Sequence, residues 1–475
     1  MERKDEQERS GFAGLNRRQL GRFAVGLAAL RGRAAAQATA VPTPIPAQIP
    51  DPYFASFSPL SAPSDPILTL NSGDSVALCG DSITEAMQYA RIVETYMTVC
   101  MPQLGIEFRN CGKGGETAPA FLARMRNEVL RFKPSVATLC YGMNDSGYTF
   151  SNTSITQTFH DALAAVTQNF LAANVRVLVG SSSCFGMVPP WDWLKQQGID
   201  DVQLNQNLCA LRDQAVTIAT QLGLPYADVF WTMFTARYYS LQRRGSSYAL
   251  CGTADGVHPD WAGHLVMAYA FLSRIGLDGN LGTISIDLNA GTASAGGGHE
   301  VRNNINGAVT ILSSRYPFCA DGPVDRYNSV RSGMEFVPFH RELNRLMLTV
   351  NGPASEYTIT WGPATRSYQT ADLQAGINLA EEFCPTPFQT AFEAVDAAVL
   401  AKQTVEGELI WNVFVPGRGE ADIAYFEALR SQALKAIQAA FVPVTHTIYI
   451  EPLSAKARRR PGPRPMSQPM TQLPG

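Results

Sequence analysis

Between Ser75 and about residue 275, short apolar runs that favour strand alternate with longer runs that favour helix, a rhythm few folds accept. The strand-like runs lie near 75–79, 106–109, 135–140, 176–181 and 225–229. Helix-like runs fill the gaps near 85–99, 118–131, 155–173, 201–222 and 260–275. In one of them Phe159, Leu163, Val166 and Phe170 recur at the spacing of a single helix face. Strands separated by helices return to the same end of a sheet and pair in parallel, and such a sheet needs cover on both faces. The pattern predicts an α/β fold of three layers, α/β/α, with a parallel sheet.

The rhythm stops near residue 280. Residues 279–373 read as β-rich, with Tyr357, Ile359 and Trp361 alternating with Thr358 and Thr360. Leu346, Leu348 and Val350 have the same period, and Asn351-Gly352-Pro353 separates the two runs as a hairpin connection would. Residues 374–453 read as helical, with Phe388, Phe392, Val395 and Val399 on one face. These two regions form a C-terminal β-rich and helical extension to a domain spanning 70–278. Ahead of that domain, residues 41–69 form a Pro-rich linker, and 454–475 a Pro- and Arg-rich tail expected to be disordered.

Residues 1–40 carry Arg17-Arg18, a short apolar run from Phe23 to Leu30 and the alanine-rich Ala34-Ala35-Ala36-Gln37-Ala38. This order resembles a twin-arginine export signal, although Asn16, Arg31 and Arg33 depart from the usual pattern. The expected location is therefore outside the cytoplasm, periplasmic or extracellular. No run reaches spanning length, so no stable membrane insertion is expected. The two basic ends leave 25 basic and 37 acidic residues between them, a balance that does not suit a nucleic-acid partner. Nine cysteines show no C-x-x-C spacing, so no metal site is expected, and their odd number leaves at least one unpaired within the chain.

Four short blocks stand out along the α/β region. Gly80-Asp81-Ser82 follows the first strand-like run, Gly112-Lys113-Gly114-Gly115-Glu116-Thr117 the second and Gly142-Met143-Asn144-Asp145 the third. Asp255-Gly256-Val257-His258-Pro259 precedes the last helix. A second triplet, Gly73-Asp74-Ser75, precedes a strand, so position singles out Ser82. The fold would bring the blocks to the carboxyl edge of the sheet, where open α/β sheets bind ligands. No G-x-S-x-G elbow occurs, which argues against the α/β-hydrolase fold.

Over roughly residues 70–278 the chain resembles the SGNH/GDSL hydrolase family, to whose Ser, Gly, Asn and His the four blocks correspond. That resemblance implies a flavodoxin-like sandwich and a secreted bacterial serine esterase. Ser82 is then the nucleophile, His258 its base and Asp255 the group that orients the imidazole. The Ser82 and Gly115 backbone N–H groups and the Asn144 amide form the oxyanion hole. Gly115, with no Cβ, lets backbone approach the substrate. His160, His264, His299, His340 and His446 read as structural, and Glu116, Asp145 and Asp260 as solvated or helix-capping. Phe185 and Pro189-Pro190-Trp191-Asp192-Trp193 read equally well as a binding loop or as a loop anchored on the core.

The expected function is ester hydrolysis through an acyl-enzyme, with no metal or organic cofactor. The resemblance implies a small-molecule ester or acetylated polysaccharide as substrate, O-acetyl and other short-chain esters of carbohydrates first. The alternatives are a lipase or lysophospholipase, and a non-catalytic carbohydrate- or envelope-binding protein on the same scaffold.

Overall fold

The structure, a computed structural model, describes residues 52–252 and 255–453. The expected export signal, the start of the Pro-rich linker and the tail 454–475 lie outside the described residues. Strands β1 (Ser75–Gly80), β2 (Glu107–Asn110), β3 (Val136–Cys140), β4 (Arg176–Gly180) and β5 (Tyr226–Ala227) form one parallel sheet in the order β2-β1-β3-β4-β5. All of β3 and nearly all of β1 and β4 are buried. Burial on both faces is why these strands read as continuous apolar runs and not as alternating ones. Helices Tyr89–Cys100 and Trp261–Leu272 pack together on one face, and Ala118–Glu128, Thr153–Ala172 and Asp201–Leu222 follow one another on the other. The chain leaves β1 for β2 on one side and reaches β3 on the other. The crevice outside the carboxyl ends of β1 and β3 is thus the topological switch point.

A helix at Val229–Arg244 was not anticipated. Its residues are apolar on more than one face, because it packs on helix Trp261–Leu272 and is also covered by the Pro-rich segment. There Phe54 and Phe57 are buried against Trp231 and Phe234. Farther along, Arg212 donates to Leu60 O (2.5 Å) and Arg274 to Ser64 O (2.6 Å), satisfying carbonyls of a segment with no partner strand. Residues 52–70 therefore lie along the α/β domain as a strap.

Beyond the α/β domain, β6 (Asn280–Asp287), β7 (Thr292–Ala295), β8 (His299–Ile305), β9 (Ala308–Ser313), β10 (Arg345–Asn351), β11 (Glu356–Trp361), β12 (Ala364–Gln369), β13 (Ile377–Asn378) and β14 (Val444–Pro452) form two sheets. Their orders are β13-β10-β6-β7 and β12-β11-β14-β9-β8. This corrects two expectations. Asn351-Gly352-Pro353 does not close a hairpin: β10 pairs with β6 and β13 while β11 pairs with β12 and β14, so the turn passes the chain from one sheet to the other. Residues 374–453 are not wholly helical, since β14 is an inner strand between β9 and β11. His446, Ile448 and Ile450 face inward at every second position, and the partners that stabilise them lie far upstream in sequence. His446 Nε2 and His299 Nδ1 both meet Ser313 Oγ (2.9 and 2.7 Å), and Trp361 Nε1 donates to His446 Nδ1 (3.0 Å), a buried polar chain inside the β region.

Helix Gln389–Leu409, a π-helical turn Ile410–Phe414 and helix Glu420–Ala440 make a hairpin that folds back on helix Tyr89–Cys100 and β2. Its contact is polar and buried. Lys402 Nζ lies 3.0 Å from carboxylate oxygens of both Glu94 and Glu406, and Arg430 Nε lies 2.7 Å from Glu406. All nine cysteines are free thiols. No described helix is long and apolar enough to cross a membrane.

Candidate active site

The turn after β1 is crowded. A Cβ on Gly80 would lie 2.0 Å from Thr84 Oγ1, and one on Gly112 would lie 2.4 Å from the Glu85 backbone nitrogen. Only glycine lets the loops after β1 and β2 approach this closely. Asp81 accepts a hydrogen bond from Ile83 N (3.0 Å) and so caps the short helix Ser82–Glu85. Burial pushes the Asp81 carboxyl up to about 7. Ser82 is the first residue of that helix and is partly exposed at the switch point.

His258 reaches this edge from the opposite end of the domain sequence. Its Nε2 lies 2.7 Å from Ser82 Oγ and its Nδ1 lies 2.5 Å from Asp255 Oδ2. The other Asp255 oxygen accepts the backbone N–H groups of Val257 and His258, both at 2.9 Å. One carboxylate thus holds both the imidazole and the loop that carries it. Gly256 adopts φ +80°, and a Cβ there would lie 2.5 Å from Met187 O, so the turn requires glycine. Burial alone would raise the Asp255 carboxyl, but the His258 ring and the two backbone donors outweigh it and bring it down to about 2. For His258, burial works toward a lower pKa, and the Asp255 carboxylate, with Asp81 and Glu85 behind it, reverses the balance and raises it.

The other two blocks are tied to each other. Asn144 Nδ2 donates to Glu116 O (3.1 Å), and Asp145 accepts from Ala118 N (2.8 Å) at the start of helix Ala118–Glu128. Gly115 takes φ +71° and a Cβ there would meet no protein atom within 4 Å, so the backbone conformation, and not protein crowding, asks for glycine. Glu116 is not solvated: it is buried and paired with Arg124 at 2.5 Å, and it accepts from Tyr141 OH (3.0 Å). A carboxylate beside these blocks is tolerated inside the fold because the guanidinium matches its charge there. His264 is buried beside the site, its Nδ1 accepting from Tyr89 N, and burial pushes its pKa down to about 3. Asp260 caps helix Trp261–Leu272. Among the described residues no group of His, Cys, Asp and Glu is arranged to hold a metal ion.

Three side chains near the edge were not singled out from the sequence as part of the site. Tyr148 OH donates to Asn144 Oδ1 (2.8 Å), which orients the amide, and the Tyr148 ring meets Trp191 edge-on at 4.8 Å. Trp191 in turn stacks on Trp193, so the aromatic loop after β4 reaches the third block through one tyrosine. Glu85, one turn after Ser82, accepts a hydrogen bond from Trp411 Nε1 in the C-terminal hairpin. Tyr148 was within reach of a local reading, four residues after Asn144. Trp411 was not, because nothing local connects it to a glutamate more than three hundred positions earlier.

Residues 78–266 match the GDSL-like Lipase/Acylhydrolase family. No curated protein sequence matches the chain. Among solved structures, a gut microbial diltiazem-metabolizing enzyme superposes with a TM-score of 0.65 at 21% identity, over 82% of this chain and 99% of its own. At that identity the likeness is one of fold, and it extends well past the α/β domain. A catalytic mutant of an acetylxylan esterase from Geobacillus stearothermophilus matches over 44% of this chain and 97% of its own, at 21% identity and a TM-score of 0.34. Ser82, Gly115, Asn144, Asp255 and His258 all fall inside the matched segment, on the parallel sheet edge that the sequence blocks pointed to. Over residues 78–266 the chain is thus similar to the GDSL-like lipases and acylhydrolases.

Proposed function

We propose that the protein is a serine ester hydrolase that works through an acyl-enzyme. The observation that carries the reading is the unbroken chain Ser82 Oγ, His258, Asp255, with separations of 2.7 and 2.5 Å, at the switch point of a GDSL-like domain. Ser82 Oγ attacks the ester carbonyl while His258 Nε2 takes the hydroxyl proton. The carbonyl π electrons move to oxygen, and the oxyanion faces the N–H groups of Ser82 and Gly115 and the Asn144 amide. Collapse expels the alcohol, which takes the proton from His258. Water then repeats the sequence on the acyl-enzyme, releasing the acid and restoring Ser82. Asp255 stays ionised throughout and stabilises the imidazolium. We read the substrate as an O-acetyl or other short-chain ester of a carbohydrate. Trp193 and Trp411, 49% and 43% exposed near this edge, offer flat apolar faces to a sugar ring. Arg17-Arg18, read as part of an export signal, support a location outside the cytoplasm with such polymers.

The test is a panel of acetyl, butyryl and octanoyl nitrophenyl esters together with acetylated xylotriose. The expected result is fastest turnover of the acetyl ester and release of acetate from the sugar. Octanoyl preference would replace the carbohydrate reading with a lipid one, and no turnover of any ester would return the protein to a binding role.

The pH profile adds a second test. The base must be neutral, so kcat/KM falls as pH drops through the His258 pKa, which lies above the ordinary 6.5. In Asp255→Asn the acid limb moves to lower pH, because the carboxylate that favours the imidazolium is gone. The same change lowers kcat/KM by about 10²-fold or more, since an amide can hold the wrong tautomer. A limb that stays put in Asp255→Asn, or a flat profile down to about pH 4, would rule out this pairing.

A further inference from the structure

The C-terminal hairpin ends beside the reaction centre. Its π-helical turn, Ile410–Phe414, widens the C-terminal end of helix Gln389–Leu409, a distortion found frequently at functional sites. Trp411 lies in that turn with its ring 43% exposed. The ring is not loose, because its N–H is held by Glu85, three residues after Ser82. It also lies against the second glycine block: a Cβ built on Gly114 would sit 3.8 Å from Trp411 Cζ2 and 2.7 Å from Glu85 Oε2. Gly114 is the neighbour of the oxyanion-hole residue Gly115. Below the turn, the buried Lys402, Glu94, Glu406 and Arg430 fix the hairpin on the α/β domain. A large apolar side chain is thus held half in solvent next to the catalytic edge, by a dedicated hydrogen bond and a distorted helix. Neither device is needed to bury it.

We propose that Trp411 is a substrate-recognition residue that stacks on the ring bearing the ester, so that the C-terminal extension completes the substrate cleft. The proposal rests on the esterase reading and gives its site a second wall, opposite in sequence origin to Trp191 and Trp193. It also explains why this GDSL-like domain carries a hairpin locked to it by buried charges. Substrates with a flat ring next to the ester gain from this wall, whereas small aliphatic esters do not reach it.

The experiment compares acetylated xylotriose with methyl acetate in the full chain. In Trp411→Ala the ratio of the two kcat/KM values falls about tenfold in disfavour of the sugar, mainly through KM, and Trp411→Phe restores much of it. An unchanged ratio, whatever the absolute rates do, overturns the proposal. Calorimetric titration of acetylated xylotriose into Ser82→Ala, with and without Trp411→Ala, gives an answer that does not depend on turnover. About tenfold weaker binding in the double variant supports the proposal. Equal binding, or no binding in either, overturns it. Failure of the esterase reading is seen separately, as a wild type that hydrolyses neither ester or a Ser82→Ala variant as active as wild type.

Discussion

Ser82→Ala lowers kcat/KM for acetyl esters by about 10⁴-fold or more, and His258→Ala by a similar factor. The variant carrying both changes is expected to be little worse than either alone. The reason is geometric. His258 Nε2 has one partner to deprotonate, Ser82 Oγ at 2.7 Å, and without either member the other has no task. In the proposed mechanism, what survives is the stabilisation of the oxyanion by the Ser82 and Gly115 N–H groups and the Asn144 amide, which the double variant retains. Neither change should disturb the fold, because the Ser82 hydroxyl caps nothing: the cap of its helix is Asp81. Steady-state rates of the two single variants and the double variant, with circular dichroism as a folding control, decide the matter. Losses that multiply would mean that serine and histidine act in separate steps, and the acyl-enzyme scheme would fall.

The parts of this protein that were legible in its sequence are those whose signals are local. The α/β region announces itself by alternation, and each of the four blocks carries its residue within a few positions of a strand end or a helix start. Asp255 and His258 share one turn, so their spacing allows the pairing that the family resemblance implies. Legibility ended where the interaction is long-range. β14 alternates clearly at His446, Ile448 and Ile450, yet its partners are β9 and β11, and the helices just before it dominate a local reading. The turn at Asn351-Gly352-Pro353 has hairpin chemistry, but hairpin closure also requires the flanking strands to prefer each other, and β10 finds β6 first. Glu116 looks solvated in a glycine-rich loop, and only the position of Arg124 on the following helix makes its burial tolerable. Trp411 and Glu85 are the extreme case, two ordinary residues made part of one edge by the docking of a hairpin.

That docking is itself testable, and Lys402→Met is expected to cost about 3–5 kcal/mol of stability. Lys402 is fully buried, and its ammonium is shared by Glu94 at 3.0 Å, Glu406 at 3.0 Å and the Phe108 carbonyl at 2.5 Å. Methionine fills the same volume and removes only the charge. Glu406 keeps Arg430 at 2.7 Å, but Glu94 is left with Gln403 Nε2 at 2.8 Å as its neutral donor. Burial already raises the Glu94 carboxyl, and Lys402 is the main force opposing that shift. Without the lysine its folded pKa rises further above the unfolded value. The stability contributed by the protonated form is then present at low pH and lost as pH rises through the folded pKa. The deficit of Lys402→Met relative to wild type should therefore shrink toward acid, and adding Glu94→Gln should recover part of it at neutral pH. For a chain of this size the change corresponds to a Tm lower by roughly 5 °C. The consequence reaches the site, because Asn110 donates its backbone N–H to Glu406 (2.9 Å) and its side-chain amide to Thr84 O (2.8 Å), two residues after Ser82. Thermal melts of the two variants across pH 5 to 8 check the argument. An unchanged Tm would show that the hairpin is held by its apolar contacts alone, and a deficit that grows toward acid would assign the missing charge to the wrong partner.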